Sequence, residues 1–388
     1  LKFSSSISKV KVSRMNKAYK FRIYPNAVQT VMFAKTFGSC RFVFNRYLGK
    51  RLEMYKSNEK TMNYYECAKD LTGLKKETEY LWLKEVDSIS LQSALENLET
   101  AYQNFFRRVK NGEKAGFPKF KSKHNNHRSY TTKAVNGNIR LKDGYIALPK
   151  IGAVKIKLHR QIPENHILKS VTVSKTPSGK YHASILFEYE QIIEPVEIKT
   201  TVGLDFSMTE LYVDSDGNEA HYPRYYRRKL EKLKRMSRSL SKMQKFSNNW
   251  YKQKRKVAIL HEKITNQRKD FLHKESRKIA NSYDLVGVED LNMKAMSQAF
   301  NFGKSVADNS WGMFRTLLKY KLEEAGKYFV TIDKWFPSSK TCSKCGFKKD
   351  DLTLSIREWI CPDCGAVHNR DHNAAINIKN EAVRMITA

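Results

Sequence analysis

What this chain of 388 residues is short of is negative charge: 39 Asp and Glu stand against 72 Lys and Arg, a formal net charge of +33. An excess that large repels itself unless a polyanion neutralises it, which makes nucleic acid the leading partner. Charge alone would equally describe a basic structural protein of the ribosomal type. No uninterrupted apolar run approaches the length that crosses a bilayer, and no secretory leader pattern opens the chain, so no membrane partner is expected. Cysteines are few, six in all. Four of them fall in pairs with metal-ligand spacing, the usage of a reducing cytoplasm and not of a disulfide framework. There is no sequence repeat and no low-complexity tract beyond the basic runs, which removes repeat arrays from consideration. The 40% of apolar residues is enough for two or three domains with real cores.

The four paired cysteines lie between Cys342 and Ile378, in CSKCGFKKDDLTLSIREWICPDCGAVHNRDHNAAINI. Cys342/Cys345 and Cys361/Cys364 are two CxxC pairs with fifteen residues between them. Thiolates three positions apart on a tight knuckle face one ion, and a second knuckle completes a tetrahedral Zn²⁺ site. Gly346 and Gly365 each follow the second cysteine of a pair, where such a knuckle turns with positive φ. Four thiolates leave no open coordination position, so the zinc is expected to be structural. Cysteines that pack as small hydrophobes are the alternative; the doubled spacing weighs against it. Asp371 stands seven residues past Cys364, and the run after it reads as a helix.

Upstream, LKFSSSISKVKVSR is a Ser/Lys-rich lead-in without a core pattern, and the functional protein is expected to begin near Met15. KAYKFRIY alternates as a strand that Pro25 stops, and Asn26 caps a long helix. A shorter helix is expected over Tyr64–Lys75 and a strongly amphipathic one over Ser90–Val109. Its apolar face reads Leu91, Ala94, Leu95, Leu98, Ala101, Tyr102, Phe105 and Phe106, ending at Gly112. The basic, aromatic-laced segment RRVKNGEKAGFPKFKSKHNNHRSY suits phosphate contacts, although a solvated loop would look the same. From Tyr130 to Tyr189 the period becomes two. IRLKDGYIALP and VTVSKTPSGKYHASILFEYE read as hairpins of a small barrel to which the Lys17–Tyr24 strand returns.

Beyond Pro195, VGLD is a buried strand ending at Asp205, followed by a hairpin turning at Asp216-Gly217. Two antiparallel helices with a basic outer surface fill Tyr225–Tyr283, and VGVE ends at Glu289. A helix near Trp311–Ala325, a strand YFVTID and the turn Pro337-Ser338-Ser339-Lys340 lead into the ribbon. Asp205, Glu289 and Asp371 thus stand at strand ends and a helix start, where they can converge on one sheet edge. Oxygen ligands of this kind suit Mg²⁺, and two such ions would activate water and stabilise the leaving oxygen in phosphodiester hydrolysis. Asp214, Asp216 and Asp290 are assigned to turns and caps. The mixed sheet with an inserted helical hairpin indicates an RNase H-like nuclease core.

Here a resemblance becomes specific. LDFSMTELYV, VGVEDLNM, FPSSKTCSKCG and NRDHNAAINI resemble the split RuvC nuclease and zinc ribbon of the TnpB family of transposon-encoded, RNA-guided DNA endonucleases, relatives of type V CRISPR effectors. YKFRIYPN, LQSALENLETAYQNFFRRVK and GFPKFKSK extend the likeness over most of Met15–Ala388. The resemblance implies Asp205, Glu289 and Asp371 as catalytic Mg²⁺ ligands, and Cys342, Cys345, Cys361 and Cys364 as zinc ligands. It also implies a guide RNA, a double-stranded DNA target with a target-adjacent motif, a transposase of the same element as a further partner, and a cytoplasmic, nucleoid-associated prokaryotic setting. The fold expected is α/β with all-β and all-α parts: a disordered lead-in (1–14), a first wedge strand (15–25), a helical recognition domain (26–125) and a wedge β-barrel (126–196). A RuvC-like core (197–336, helical insertion about 223–283), a zinc ribbon (337–368) and the end of the core (369–388) follow. A transposase that joins DNA ends shares this fold and metal chemistry, and an RNA-guided repressor without cleavage is the binding-only alternative. The ribbon placed before Asp371 and the intact set of acids favour the nuclease.

Overall fold

A computed structural model of the protein describes residues 11–58, 61–124, 128–299, 303, 308–353 and 355–388. The chain forms two units, one spanning Ser13–Gln191 and the other built on Ile192–Ala388.

The first unit opens on β1 (Lys11–Tyr24), so the strand begins four residues before Met15 and Lys11–Arg14 are not lead-in; the remainder of that lead-in, residues 1–10, lies outside the described residues. Helix α1 (Ala27–Asn58) starts on a reciprocal cap: Gln29 N donates to Asn26 Oδ1 at 2.8 Å and Asn26 N to Gln29 Oε1 at 3.1 Å. Helix α2 (Tyr64–Leu74), a 3₁₀ segment (Thr78–Glu85) and α3 (Ser88–Lys110) follow. The face of α3 is buried at Leu91, Ala94, Leu95, Leu98 and Tyr102, but Phe106 is exposed. The core stripe is therefore shorter than its sequence period indicates. Phe105 and Phe106 instead group with Phe117 from the basic segment.

Strands β2 (Arg128–Lys133), β3 (Arg140–Lys142), β4 (Tyr145–Leu148), β5 (Gly152–Lys157), β6 (Ile167–Lys175) and β7 (Tyr181–Ile193) join β1 in one sheet, ordered β2-β6-β7-β1-β5-β4-β3. The first strand does return, between β7 and β5. The expected barrel is an open half-barrel: among the described residues β2 and β3 remain edges, and β3, three residues long, offers little ladder for closure. Asp143 (φ 51°) and Gly144 (φ 76°) make the tight β3–β4 turn, the two-residue geometry that matches strand twist.

In the second unit β8 (Thr201–Phe206), β9 (Tyr212–Asp214), β10 (Leu285–Glu289) and β11 (Tyr328–Ile332) form a sheet ordered β11-β10-β8-β9. β10 runs parallel to β8 and β11, and β9 antiparallel to β8. Between β9 and β10 the chain makes the expected helical hairpin, α4 (Tyr225–Lys242) and α5 (Asn248–Ser282), joined by Leu233, Val257, Leu260 and Ile264. Helix α6 (Met293–Ala299) and α7 (Trp311–Glu324) separate β10 from β11. The ribbon strands β12 (Glu358–Ile360) and β13 (Val367–Asn369) precede the last helix, α8 (Arg370–Thr387). Alternation along β10 explains the layering. Val286 and Val288 pack toward α5 and α7, while Leu285 joins Val330, Ile332, Ile378 and Ala382 under α8. A parallel strand covered on both faces has to be apolar throughout, which is why VGLD and VGVE read as unbroken runs up to the acid. No helix among the described residues is long and apolar enough to cross a membrane.

Candidate active edge and metal centre

The four ribbon cysteines come together as their spacing requires. Their sulfurs all lie within 4.8 Å of one another, with Cys342 Sγ 3.7 Å from Cys364 Sγ and Cys345 Sγ 3.6 Å from Cys361 Sγ. A tetrahedron with Zn–S bonds of about 2.3 Å has edges of about 3.8 Å, whereas a disulfide needs about 2.05 Å. The donor set therefore fits a closed, structural zinc site. Gly346 and Gly365 turn the knuckles at φ 83° and 70°. His368, which the spacing argument did not reach, sets Nε2 3.0 Å from Cys342 Sγ and lies against buried Trp359, an outer partner of the kind that orients metal ligands.

The acids meet at the C-terminal edge of the parallel strands. The β8/β10 register pairs Gly203 with Gly287 and Leu204 with Val288, so the next residues, Asp205 and Glu289, end adjacent strands. Asp371 does not precede its helix: Asn369 takes the cap, accepting from Asp371 N and His372 N at 3.1 Å, and Asp371 sits in the first turn of α8. Burial, then the charges of Glu289 and Asp371, hold the Asp205 carboxyl well above the usual carboxylate range. Burial also raises Glu289, while the Ser338 hydroxyl donates to it and acts the other way. The three carboxylates thus share one repelling, half-buried edge, a hard-oxygen donor set that suits a divalent cation. They are not gathered as closely as the cysteines, and Asp371 has its oxygens on two arginines. Arg357 Nη1 donates to it at 2.9 and 3.1 Å, and Arg370 Nη2 at 3.0 Å.

Two glycines explain how α8 reaches this edge. A Cβ on Gly203 would stand 2.1 Å from Ala375 O and 2.5 Å from Lys379 N; one on Gly287 would stand 2.7 Å from Ala382 Cβ and 2.9 Å from Ile378 O. The paired glycines make a trough that lets the helix lie against the strands. The ribbon fastens the same helix from the other side. Asn373 accepts from Ser343 N at 2.9 Å and donates to Thr341 O at 2.7 Å, and Asn377 donates to Ser338 O and Thr341 O at 2.8 and 2.6 Å.

The remaining acids serve the fold. Asp214 accepts from Asp216 N and Asn218 N in the hairpin turn, Asp216 accepts from Tyr283 OH at 2.7 Å, and Asp290 faces Arg315 at 3.6 Å. Of the basic segment, exposed Lys121 sets its ammonium 3.8 Å from the centre of the Phe44 ring; residues 125–127 lie outside the described residues. On α4, Lys232, Lys234, Arg235, Arg238 and Lys242 line one concavity, the outer basic surface expected of the hairpin.

Comparison with known proteins follows this division. A family model described as "Probable transposase" matches residues 184–299, one described as "Cas12f1-like, TNB domain" matches 311–378, and one described as "Helix-turn-helix domain" matches 15–60. Over 371 residues the chain is 36% identical to a Streptomyces pristinaespiralis protein named "Putative RNA-guided DNA endonuclease", covering 95% of this chain and 89% of that one. The chain belongs to the TnpB family. Escherichia coli K12 has another relative, "Putative RNA-guided DNA endonuclease InsQ", 33% identical over 377 residues, 93% of this chain and 91% of that protein. Among solved structures, the protein in "Cryo-EM structure of the Cas12f1-sgRNA-target DNA complex" shares the fold at a TM-score of 0.60 and 13% identity, over 95% of this chain and 99% of that one. In this TnpB-family chain the 311–378 match spans α7, β11, the ribbon and Asp371, while the 184–299 match spans β8 and β10 with Asp205 and Glu289. The 15–60 match covers β1 and one long helix, α1.

Proposed function

We propose that this protein is the RNA-guided DNA endonuclease of a transposable element, using a transposon-derived guide RNA and a target-adjacent motif to cleave double-stranded DNA. The observation that carries the reading is the edge where Asp205 and Glu289 end adjacent strands, both held above the usual carboxylate range chiefly by burial, with Asp371 on the helix above. Asp205, Glu289 and Asp371 would hold Mg²⁺. Bound magnesium supplies Lewis-acid stabilisation of the attacking and leaving oxygens of a phosphodiester. The chain's own contribution is placement. Ser338 fixes Glu289; the glycine trough and the Asn373 and Asn377 hydrogen bonds fix α8; Arg357 and Arg370 balance the Asp371 charge. The net charge of +33 supports a large nucleic-acid surface, in which guide pairing reads sequence while the protein grips the backbone.

The test is to purify the protein from cells carrying its element, sequence the RNA that survives a high-salt wash, and supply a plasmid matched to that RNA. Cleavage with Mg²⁺, abolished in Asp371→Ala while a gel shift persists, supports the reading. RNA-free protein that cuts specifically would overturn the guide. Binding without cleavage by the parent would make it a repressor, and joining of DNA ends would make it a transposase.

A further inference from the structure

We infer that Trp335 is a stacking platform for an unpaired nucleobase of the strand being cut, held beside Glu289. This deepens the nuclease reading and rests on it. The β10/β11 register sets Ile332 opposite Glu289, and Ser338 donates to the Glu289 carboxylate. The chain between them, residues 333–337, therefore leaves Glu289 and returns to it, so that both ends of this loop stand at the acid edge. The loop is fixed. Asp333 Oδ1 accepts from Trp335 N at 2.7 Å, Asp333 O from Phe336 N at 3.2 Å, and Phe336 turns inward onto Val330, Ile332 and Ile378. With Phe336 half-buried against that cluster, Trp335 points outward and is 79% exposed, level with Tyr65 as the most exposed large apolar side chain among the described residues.

The Lys334 ammonium lies 4.8 Å from the centre of the indole ring. An indole face with a cation beside it offers a nucleotide both of its needs, stacking for the base and a counter-charge for the phosphate. Stacking of this kind accepts any base and is worth about ten- to a hundred-fold in affinity, as an enzyme that takes its sequence from a guide requires. A paired base has its faces covered by its neighbours, so the occupant is a base already unstacked from the duplex.

The experiment uses full-length Asp205→Ala protein with its RNA and a matched DNA carrying 2-aminopurine at successive positions near the cut. Quenching confined to one or two positions, lost in Asp205→Ala/Trp335→Ala and kept in Asp205→Ala/Trp335→Tyr, is the expected result. In the cleaving protein, Trp335→Ala should slow cutting about tenfold. An abasic nucleotide at the quenched position should slow the parent equally and the variant no further. Position-independent fluorescence, or Trp335→Ala cutting every strand at the parental rate, overturns the platform and leaves the nuclease reading standing. If the parent binds matched DNA but never cuts it, the nuclease reading fails, and the fluorescence series still decides whether Trp335 stacks.

Discussion

Gly203→Ala tests the architecture at a residue with no chemistry of its own. The added methyl would meet Ala375 O at 2.1 Å and Lys379 N at 2.5 Å, against 3.4 Å or more for ordinary contact. Both atoms are helix backbone, so no rotamer change relieves the overlap, and α8 has to retreat by at least about 1 Å. Overpacking of a core costs about 1–3 kcal/mol, and a rigid neighbour places this case at the upper end, about 3 kcal/mol. Ala375 is one turn from Asp371, so the carboxylate moves with the helix. A misplacement of about 1 Å in a catalytic constellation costs about 100-fold. Gly287→Ala should be milder in both respects, because its closest neighbour is the Ala382 methyl at 2.7 Å. Adding Ala382→Gly should recover part of that loss, whereas Gly203→Ala has no side chain to trim. Urea unfolding and plasmid cleavage on the same four proteins give the two scales. A Gly203→Ala protein as stable and as active as its parent, or one less affected than Gly287→Ala, would refute the trough.

Cys361→Ser should bind no zinc by metal analysis, lose cleavage and leave the half-barrel folded; active protein without zinc contradicts the closed site. Asp371→Ala should reduce cleavage by orders of magnitude with binding retained, and Asp205→Ala/Asp371→Ala should be little worse, since groups acting as a unit are not additive; parental cutting by Asp371→Ala means the edge is misassigned. Asp216→Ala, which loses only the Tyr283 contact, is the near-neutral control for that series. Lys321 is buried with its ammonium on His273 O and Ser276 Oγ, and burial, then Arg277, pushes its pKa down to about 8. The unfolded chain holds that proton up to about pH 10.5, so the parent should gain stability over Lys321→Met between pH 8 and 10.5, by up to about 3 kcal/mol, and urea titrations with parallel pH profiles would exclude it.

The acids and cysteines were legible for different reasons. A strand covered on both faces must be apolar until it leaves the sheet, so an acid that ends such a run, as Asp205 and Glu289 do, marks the edge without any tertiary knowledge. The cysteine spacing encodes a local geometry, and the knuckles form it. What escaped the sequence depends on residues distant along the chain. Gly203 and Gly287 are each an ordinary break in an apolar run, and only the parallel register that pairs them makes a floor for α8. Asn373 and Asn377, four apart, look like a solvated helix face, yet both are buried because the ribbon's first knuckle donates to and accepts from them. Phe106 errs in the other direction: it continues a helical period past the point where there is a core to receive it. Arg357, Arg370, Ser338 and His368 carry no local signal for the contacts they make, because their partners are fixed only by the fold. The ribbon is consequently not an appendage to the nuclease unit. Through Asn373 and Asn377 it holds α8 down against the glycine trough, and through Arg357 it reaches Asp371 itself. A zinc ion on the four cysteines would thus be coupled to the carboxylate edge by one helix. Loss of the metal should be felt first at Asp371, before the strands that carry Asp205 and Glu289 are disturbed.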